Sequence, residues 1–180
     1  MPNYAISYSN DGSLGELVGG AYSEYRLDLL KESGYDGFII TDWGILSPSD
    51  PEDDFVVNWG VEDLSTAECF ARLFELGIDQ VGGSTDIDEA IEGYQILAEN
   101  LGEEKAMEYM RGAARDIFTH KMNVGIFDNP YLTTEHAVAT TWSEESKAFG
   151  DATQQKSVIM LKNNDNTIKP YDAGAEKLTA

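Results

Sequence analysis

An aspartate, a tryptophan and a glycine directly follow a short apolar segment of this chain. Residues 38–41 read FIIT, a β-branched and aromatic run that predicts a strand buried on both faces. Asp42 then stands at the C-terminal end of that strand, followed by Trp43 and Gly44. In barrels of alternating strands and helices, catalytic groups lie at this end of the strands. Asp42 is therefore a candidate carboxylate nucleophile; the alternative, commoner on pattern alone, is an aspartate that caps a helix or closes a turn.

The segments around this aspartate follow the order of a strand and helix repeat. Residues 4–8 predict the end of a strand, and a loop rich in glycine and polar residues follows over 9–20. Apolar residues at helical spacing then predict a helix that ends at Gly34, just before the strand over 37–41. The next connection, residues 45–60, is long and rich in proline and aspartate, which is typical of a loop over the mouth of a site.

A second helix and strand are predicted farther along. Ser65 and Glu68 have the spacing of a capping box and open a helix that ends at Gly77. Residues 78–81 predict the next strand. It closes on residues 82–83, both glycine, where the backbone either approaches a ligand closely or turns sharply.

The rest of the chain is predicted to be mainly helical. Apolar stripes predict one helix over 87–97 and another over 106–118, and such stripes are most simply core packing. A further helix is predicted over 143–155, before a strand over 158–161.

Several of these segments match the motifs of one known family, in that family's order. They are residues 34–37 (GYDG) leading into 41–44 (TDWG), 76–80 (LGIDQ), 123–131 (NVGIFDNPY) and 157–163 (SVIMLKN). Nearly from end to end, the chain resembles part of a glycoside hydrolase family 3 enzyme, the β-glucosidase and β-xylosidase group. Four matches in sequence are far more specific than any one of them alone.

The resemblance implies an α/β fold made of parts of two domains. Residues 1–127 would be the C-terminal portion of a (β/α)8 TIM-type barrel, 128–156 an interdomain linker and helix, and 157–180 the truncated start of a second α/β sandwich domain. A complete barrel needs about 250 residues, whereas this chain has 180. We therefore expect a fragment with an open sheet edge, prone to oligomerise in isolation or to be completed by another chain.

The resemblance also implies roles for three residues. The family's nucleophile is the aspartate of the Asp-Trp pair, here Asp42. Trp43 would form a wall on which a sugar ring stacks, and its alternative is a half-buried anchor beside the strand. Tyr4, in a Met-x-x-Tyr pattern of the family, would bind substrate near the nucleophile and steer its carboxylate, although Tyr8 is an alternative for that place.

The predicted activity is that of a retaining β-glycoside hydrolase acting through a covalent glycosyl-enzyme on Asp42. By the resemblance, the acid/base glutamate lies outside this chain, so neither Glu62 nor Glu135 is assigned that role, and neither His120 nor His136 lies where a histidine acid/base is expected. The alternative is a catalytically inactive truncated or split piece that acts only as a structural partner. The motifs do not choose between glucose, xylose and N-acetylglucosamine.

The amino-acid composition limits the classes of molecule that this chain is expected to bind. Twelve basic residues against 33 acidic ones give a net charge of −21, which argues against nucleic acid and anionic membranes and is compatible with a neutral glycoside. No apolar run is long enough to span a membrane, and the sequence assigns no compartment. The lone Cys69 is predicted to be a core thiol. We expect no cofactor and no metal: the acidic group in the long loop lacks the spacing of a calcium site, its members being Asp50, Glu52, Asp53 and Asp54.

Overall fold

Helices make up most of the regular structure in the computed structural model, which describes residues 1–46 and 57–168. The chain divides into two units, Met1–Pro130 and Tyr131–Ala180. The described α-helices of the first unit are α1 (Glu24–Glu32), α2 (Thr66–Glu75), α3 (Ile87–Leu101) and α4 (Glu103–Asn123), and a short 3-10 helix, Gly20–Tyr22, precedes α1. Most of the predicted site loop over 45–60, with its acidic group of Asp50, Glu52, Asp53 and Asp54, lies outside the described residues.

The predicted helix starts and stops are confirmed where local chemistry sets them. At the start of α2, Ser65 Oγ accepts from the N–H of Glu68 (3.2 Å), and Glu68 Oε2 accepts from the N–H of Ser65 (2.7 Å). This is the predicted capping box. Gly34 and Gly77 follow the ends of α1 and α2 with φ of +87° and +77°, a conformation that side chains with a Cβ avoid.

The two predicted strands of the first unit are reduced to a single parallel bridge between Ile40 and Gln80. The N–H of Thr41 donates to the carbonyl of Gln80 (3.0 Å), but the ladder stops on both sides of the bridge. On one side the N–H of Ile39 donates to the Asp79 carboxylate, and on the other the N–H of Gly82 donates to the Thr41 hydroxyl. Side chains thus take the donors that a longer ladder would use, and the predicted strands over 37–41 and 78–81 are extended segments instead.

The predicted strand end over 4–8 is also wrong, because these residues form no strand in the described structure. The described part of this unit therefore consists of helices packed beside two short parallel segments, and the barrel implied by the resemblance stays a prediction. That packing brings residues of both segments, α1 and α2 into one core, and its fully covered side chains include the predicted core thiol. The buried members of this core are Val18, Ala21, Tyr22, Leu27, Ile39, Ile45, Cys69, Leu73, Leu76 and Ile78.

A smaller core lies where α2, α3 and α4 meet, around Ala71, Leu97 and Ala106. Gly93 of α3 is buried there, and a Cβ on it would lie 2.6 Å from the Cβ of Phe70. A glycine at this position lets α3 approach α2 closely. The apolar stripes predicted for α3 and α4 therefore pack as core only in part: Leu97 and Ala106 are buried, whereas Ile87, Ile91 and Phe118 are exposed.

The second unit contains α5 (Thr134–Thr141) and α6 (Glu144–Ser157), and neither helix has a buried residue. Ser143 caps α6, as the predicted helix over 143–155 requires. The predicted strand over 158–161 is not formed; all four apolar residues are exposed, because nothing in the described part of this unit pairs with them. The predicted sandwich domain and the predicted domain limits stay predictions. Among the described helices, none has both the length and the apolar character needed to cross a membrane.

Candidate active site

Asp42 lies two residues after the bridge residue Ile40 and is half-buried. Its Oδ1 accepts a 2.9 Å hydrogen bond from the main-chain N–H of Trp43. The contact is local, as in the turn-closing aspartate that pattern alone favours. This bond leaves other lone pairs of the carboxylate available to a neighbouring group or a ligand.

Tyr4 reaches this turn from the N-terminal segment. Its hydroxyl donates a 2.8 Å hydrogen bond to the carbonyl oxygen of Trp43. Desolvation raises the pKa of Tyr4, and a hydrogen bond to Asp42 and the negative charge of that carboxylate raise it further. The main-chain contact with Trp43 lowers the same pKa in part, so the Asp42 carboxylate and the Trp43 main chain act on this phenol in opposite directions. Tyr8, the alternative, is an exposed side chain.

The indole of Trp43 stands beside the turn that follows the second parallel segment. A Cβ built on Gly83 would lie 2.6 Å from both Cγ and Nε1 of Trp43, and one built on Gly82 would lie 3.3 Å from Cε3. The two glycines therefore give the indole its space. The Trp43 side chain is nevertheless 53% exposed, so much of the ring is free to contact a ligand.

The chain on either side of Asp42 is anchored to the core. Before it, Thr41 is fully buried and bonded to the second parallel segment. After it, the carbonyl of Gly44 accepts from the N–H of Val57 (2.8 Å), and the carbonyl of Ile45 accepts from the buried hydroxyl of Tyr22 (2.7 Å). A carboxylate on a turn held in this way has little freedom to move, which is what a preorganised site requires.

Arg26 of α1 anchors the segment that carries Tyr4. Its Nη1 donates to Asn3 Oδ1 and to the carbonyl of Ala5, both at 2.8 Å, and its Nε donates to Ser7 Oγ at 2.7 Å. These acceptors flank Tyr4 on both sides in the sequence. A planar guanidinium with five donors suits such a set of acceptors, because it bonds several of them at once without moving.

The remaining acidic and histidine candidates lie elsewhere. Hydrogen bonds from the main-chain N–H groups of Gly60 and Glu62 lower the pKa of Glu62, which makes it a poor proton donor near neutral pH. His120 belongs to α4, where its ring lies 5.0 Å from that of Phe38. Glu135 and His136 belong to α5 of the second unit. Across residues 1–46 and 57–168, no group of three or more potential ligands is arranged to hold a metal ion.

Sequence reasoning missed the residues that hold the site together, namely Arg26, Tyr22, Thr41 and Asp79. One signal was present, because Arg26 and Lys31 are the only arginine or lysine residues before Arg72. An arginine with so few neighbouring cations in an acidic segment is a candidate for an anchoring role. The contacts of the other three depend on residues about 20 to 40 positions away, for which the sequence pattern has no signal.

Comparison with known proteins gives relatives of one kind. The chain is 31% identical to β-glucosidase C of Emericella nidulans over 94% of its length, and 29% identical to a periplasmic β-glucosidase/β-xylosidase of Dickeya chrysanthemi over 92%. It is 28% identical to a β-xylosidase of Formosa agariphila over 85% of its length. These relatives confirm the resemblance to the β-glucosidase and β-xylosidase group of glycoside hydrolase family 3.

The chain spans only part of these proteins. It covers 26% of the Emericella protein, 27% of the Dickeya protein and 20% of the Formosa protein. No family model matches the chain.

Proposed function

We propose that this chain supplies the nucleophile part of a retaining β-glycosidase site, with Asp42 as the nucleophile. The observation that carries the proposal is the meeting of Tyr4, Asp42 and Trp43 at one anchored turn, in a chain whose relatives are named β-glucosidases and β-xylosidases. The substrate is a β-linked glycoside or oligosaccharide. No cofactor is needed for this chemistry.

In the proposed reaction, the Asp42 carboxylate attacks the anomeric carbon of the sugar. An ester bond forms between them while the bond from that carbon to the leaving oxygen breaks, and water later cleaves the ester. Tyr4 acts as a positioning residue for the carboxylate, since its hydroxyl contacts the same turn. Trp43 offers its exposed indole to the apolar face of the sugar ring.

The proton for the leaving oxygen must come from a second carboxyl group. We place that group outside the present chain, in agreement with the family pattern and with the lowered pKa of Glu62. The chain alone is therefore expected to carry out the first chemical step only with a substrate whose leaving group departs without a proton.

A mechanism-based label meets that condition. The chain is incubated with dinitrophenyl 2-deoxy-2-fluoro-β-glucoside, whose phenolate leaves unprotonated and whose fluorine slows hydrolysis of the ester. Peptide mapping by mass spectrometry should then find the glycosyl adduct on the peptide that contains Asp42. The adduct should be absent in Asp42→Asn and present in Asp36→Asn, which removes an exposed aspartate close by in the sequence.

The alternative, an inactive piece that completes a site with another chain, predicts a different pattern. The isolated chain would then stay unlabelled, while a longer protein carrying the same sequence would be labelled at Asp42. Labelling at another carboxylate in the longer protein would contradict the proposed role of Asp42 in either form.

A further inference from the structure

The Gly82–Gly83 turn lies against the tryptophan next to the proposed nucleophile. Gly82 is buried, and its N–H donates a 2.8 Å hydrogen bond to the hydroxyl of Thr41. Gly83 follows with φ of +75°, in the left-handed region that favours glycine. The turn is thus tied directly to the residue that precedes Asp42.

The space above this turn is filled by Trp43. A Cβ on Gly83 would overlap Cδ1 of the indole and lie 2.6 Å from its two neighbours in the ring, Cγ and Nε1. Real Cβ atoms do not approach other atoms so closely, so the indole would have to move. By contrast, Gly125 has the same φ of +75° but nothing within 4 Å of its Cβ position.

The backbone of Trp43, unlike its side chain, is held by hydrogen bonds. Its N–H donates to Asp42 Oδ1 and its carbonyl accepts from the hydroxyl of Tyr4. An obstruction at position 83 must therefore be relieved by rotation of the Trp43 side chain rather than by movement of its backbone. Rotation would carry the ring away from the place it now occupies over Gly83.

We propose that Gly83 is a positioning residue for Trp43, and that the missing side chain at position 83 sets where the indole presents its face to a ligand. The role of that face as a sugar-binding wall rests on the proposed function above. The position of the indole itself does not, so it can be measured without any glycoside.

The test uses Trp43 as its own reporter. The chain has three tryptophans, so Trp59→Phe and Trp142→Phe leave Trp43 as the single indole. The main-chain hydrogen bond that Trp59 accepts from Gly19 is unaffected by this change. Emission and acrylamide quenching are then compared between this parent, Gly83→Ala and Gly125→Ala.

Gly83→Ala should shift the Trp43 emission and raise its acrylamide quenching constant, because the indole leaves its place over the glycine backbone. Gly125→Ala should change neither, although it imposes the same backbone strain. Unchanged emission and quenching in Gly83→Ala, or equal changes in both variants, would overturn the proposal.

A double-mutant cycle covers the case in which Gly83→Ala destabilises the fold. If the obstruction is with the indole, Gly83→Ala should be less destabilising when Trp43 is already alanine, and should then match Gly125→Ala in urea unfolding. Equal destabilisation with and without the indole would overturn the proposal.

The glycoside label separates this inference from the proposed function. Loss of labelling together with altered fluorescence in Gly83→Ala supports both. If neither the parent chain nor a longer protein is labelled at Asp42, the proposed function is contradicted. The position of Trp43 is then still decided by the fluorescence measurements. A labelled parent with unchanged fluorescence in Gly83→Ala contradicts only the present inference.

Discussion

The hydroxyl of Tyr4 donates a hydrogen bond to the carbonyl oxygen of Trp43, 39 residues later in the chain. The same hydroxyl is close enough to the Asp42 carboxylate for that charge to act on its pKa. One phenol therefore bonds the N-terminal segment to Trp43 and lies within the electrostatic reach of Asp42. The contact is the structural basis for treating Tyr4, rather than Tyr8, as the positioning tyrosine.

The first prediction concerns the proton of Tyr4. Desolvation, then the hydrogen bond to Asp42 and its charge, raise the pKa of Tyr4 above the ordinary 10.0. Asp42→Asn removes the charge, so the pKa of Tyr4 should fall back toward that value. The measurement is a spectrophotometric titration at alkaline pH, in which the difference from Tyr4→Phe isolates this one of nine tyrosines.

The sign of the stability effect follows from linkage. A raised pKa in the folded chain means that the stabilisation is fully present below about pH 10 and is lost as the pH rises through the pKa of folded Tyr4. The Asp88→Asn control changes the net charge equally but removes no group that acts on Tyr4. If Asp42→Asn leaves the pKa of Tyr4 unchanged, the contact between Tyr4 and Asp42 is contradicted.

The second prediction concerns Arg26, which bonds acceptors on both sides of Tyr4. Arg26→Ala should lower the free energy of unfolding by about 1 to 3 kcal/mol, because several acceptors lose a charged donor. Arg26→Lys should recover only part of this, since an ammonium lacks the planar fork of donors. Chemical denaturation followed by circular dichroism gives both values.

Arg115→Ala is the matched control for Arg26. Its guanidinium is 72% exposed and pairs with its neighbour Asp116, so its removal should change stability by no more than about 1 kcal/mol. The Arg26 variants should also lower the Tyr4 pKa, because they release the segment that holds Tyr4 near Asp42. Arg115→Ala should leave the Tyr4 pKa unchanged. Equal effects of Arg26→Ala and Arg115→Ala on both readouts would argue against an anchoring role for Arg26.

The third prediction separates charge from hydrogen bonding at Asp79. Its carboxylate accepts a 2.6 Å bond from the N–H of buried Ile39, yet desolvation raises its pKa overall. Asp79→Asn keeps an acceptor oxygen and removes the desolvated charge, so it should be at least as stable as the parent at pH 7. Asp79→Ala leaves the Ile39 donor unpaired and should be less stable by about 1 to 3 kcal/mol.

The pH dependence tests the cause of the Asp79 effect. Since the pKa of Asp79 is raised in the folded chain, its favourable contribution is present below the unfolded value of 3.8 and is lost as the pH rises through the folded pKa. Any advantage of Asp79→Asn should therefore grow from acidic to neutral pH in urea unfolding. An advantage that is constant across this range would rule out desolvation of the charge as its source.

Features that depend on residues close together in the sequence could be predicted, and features that depend on distant residues could not. Helix limits were predicted where a cap such as Ser65 with Glu68 or a glycine such as Gly77 acts within one turn, whereas α5 was not predicted and α4 is longer than the predicted 106–118. Strand pairing was not predicted, because it ends where Asp79 and Thr41 replace ladder partners with side-chain oxygens. Those contacts join positions about 40 residues apart, and alternation of apolar residues carries no information about them.

The candidate site shows the same division. The motif around Asp42 and Trp43 could be recognised from the local order of residues, and their proposed roles come from the resemblance. The choice between Tyr4 and Tyr8 could not be made from spacing, since it depends on where α1 holds the N-terminal segment. That in turn depends on Arg26, whose acceptors are spread over residues 3–7.

The fourth prediction concerns the hydroxyl of Thr41, which joins the segment before Asp42 to the turn that positions Trp43. Thr41→Val keeps the shape of this fully buried side chain but leaves the N–H of Gly82 without its 2.8 Å acceptor. Stability should fall by about 1 to 3 kcal/mol, and hydrogen exchange at the Gly82 amide should accelerate. Thr41→Ser loses a methyl group but keeps the acceptor, so protection of that amide should persist. Rapid exchange in the serine variant, or full protection in the valine variant, would mean that packing of the Thr41 methyl, and not its hydroxyl, holds the Gly82–Gly83 turn beside Asp42.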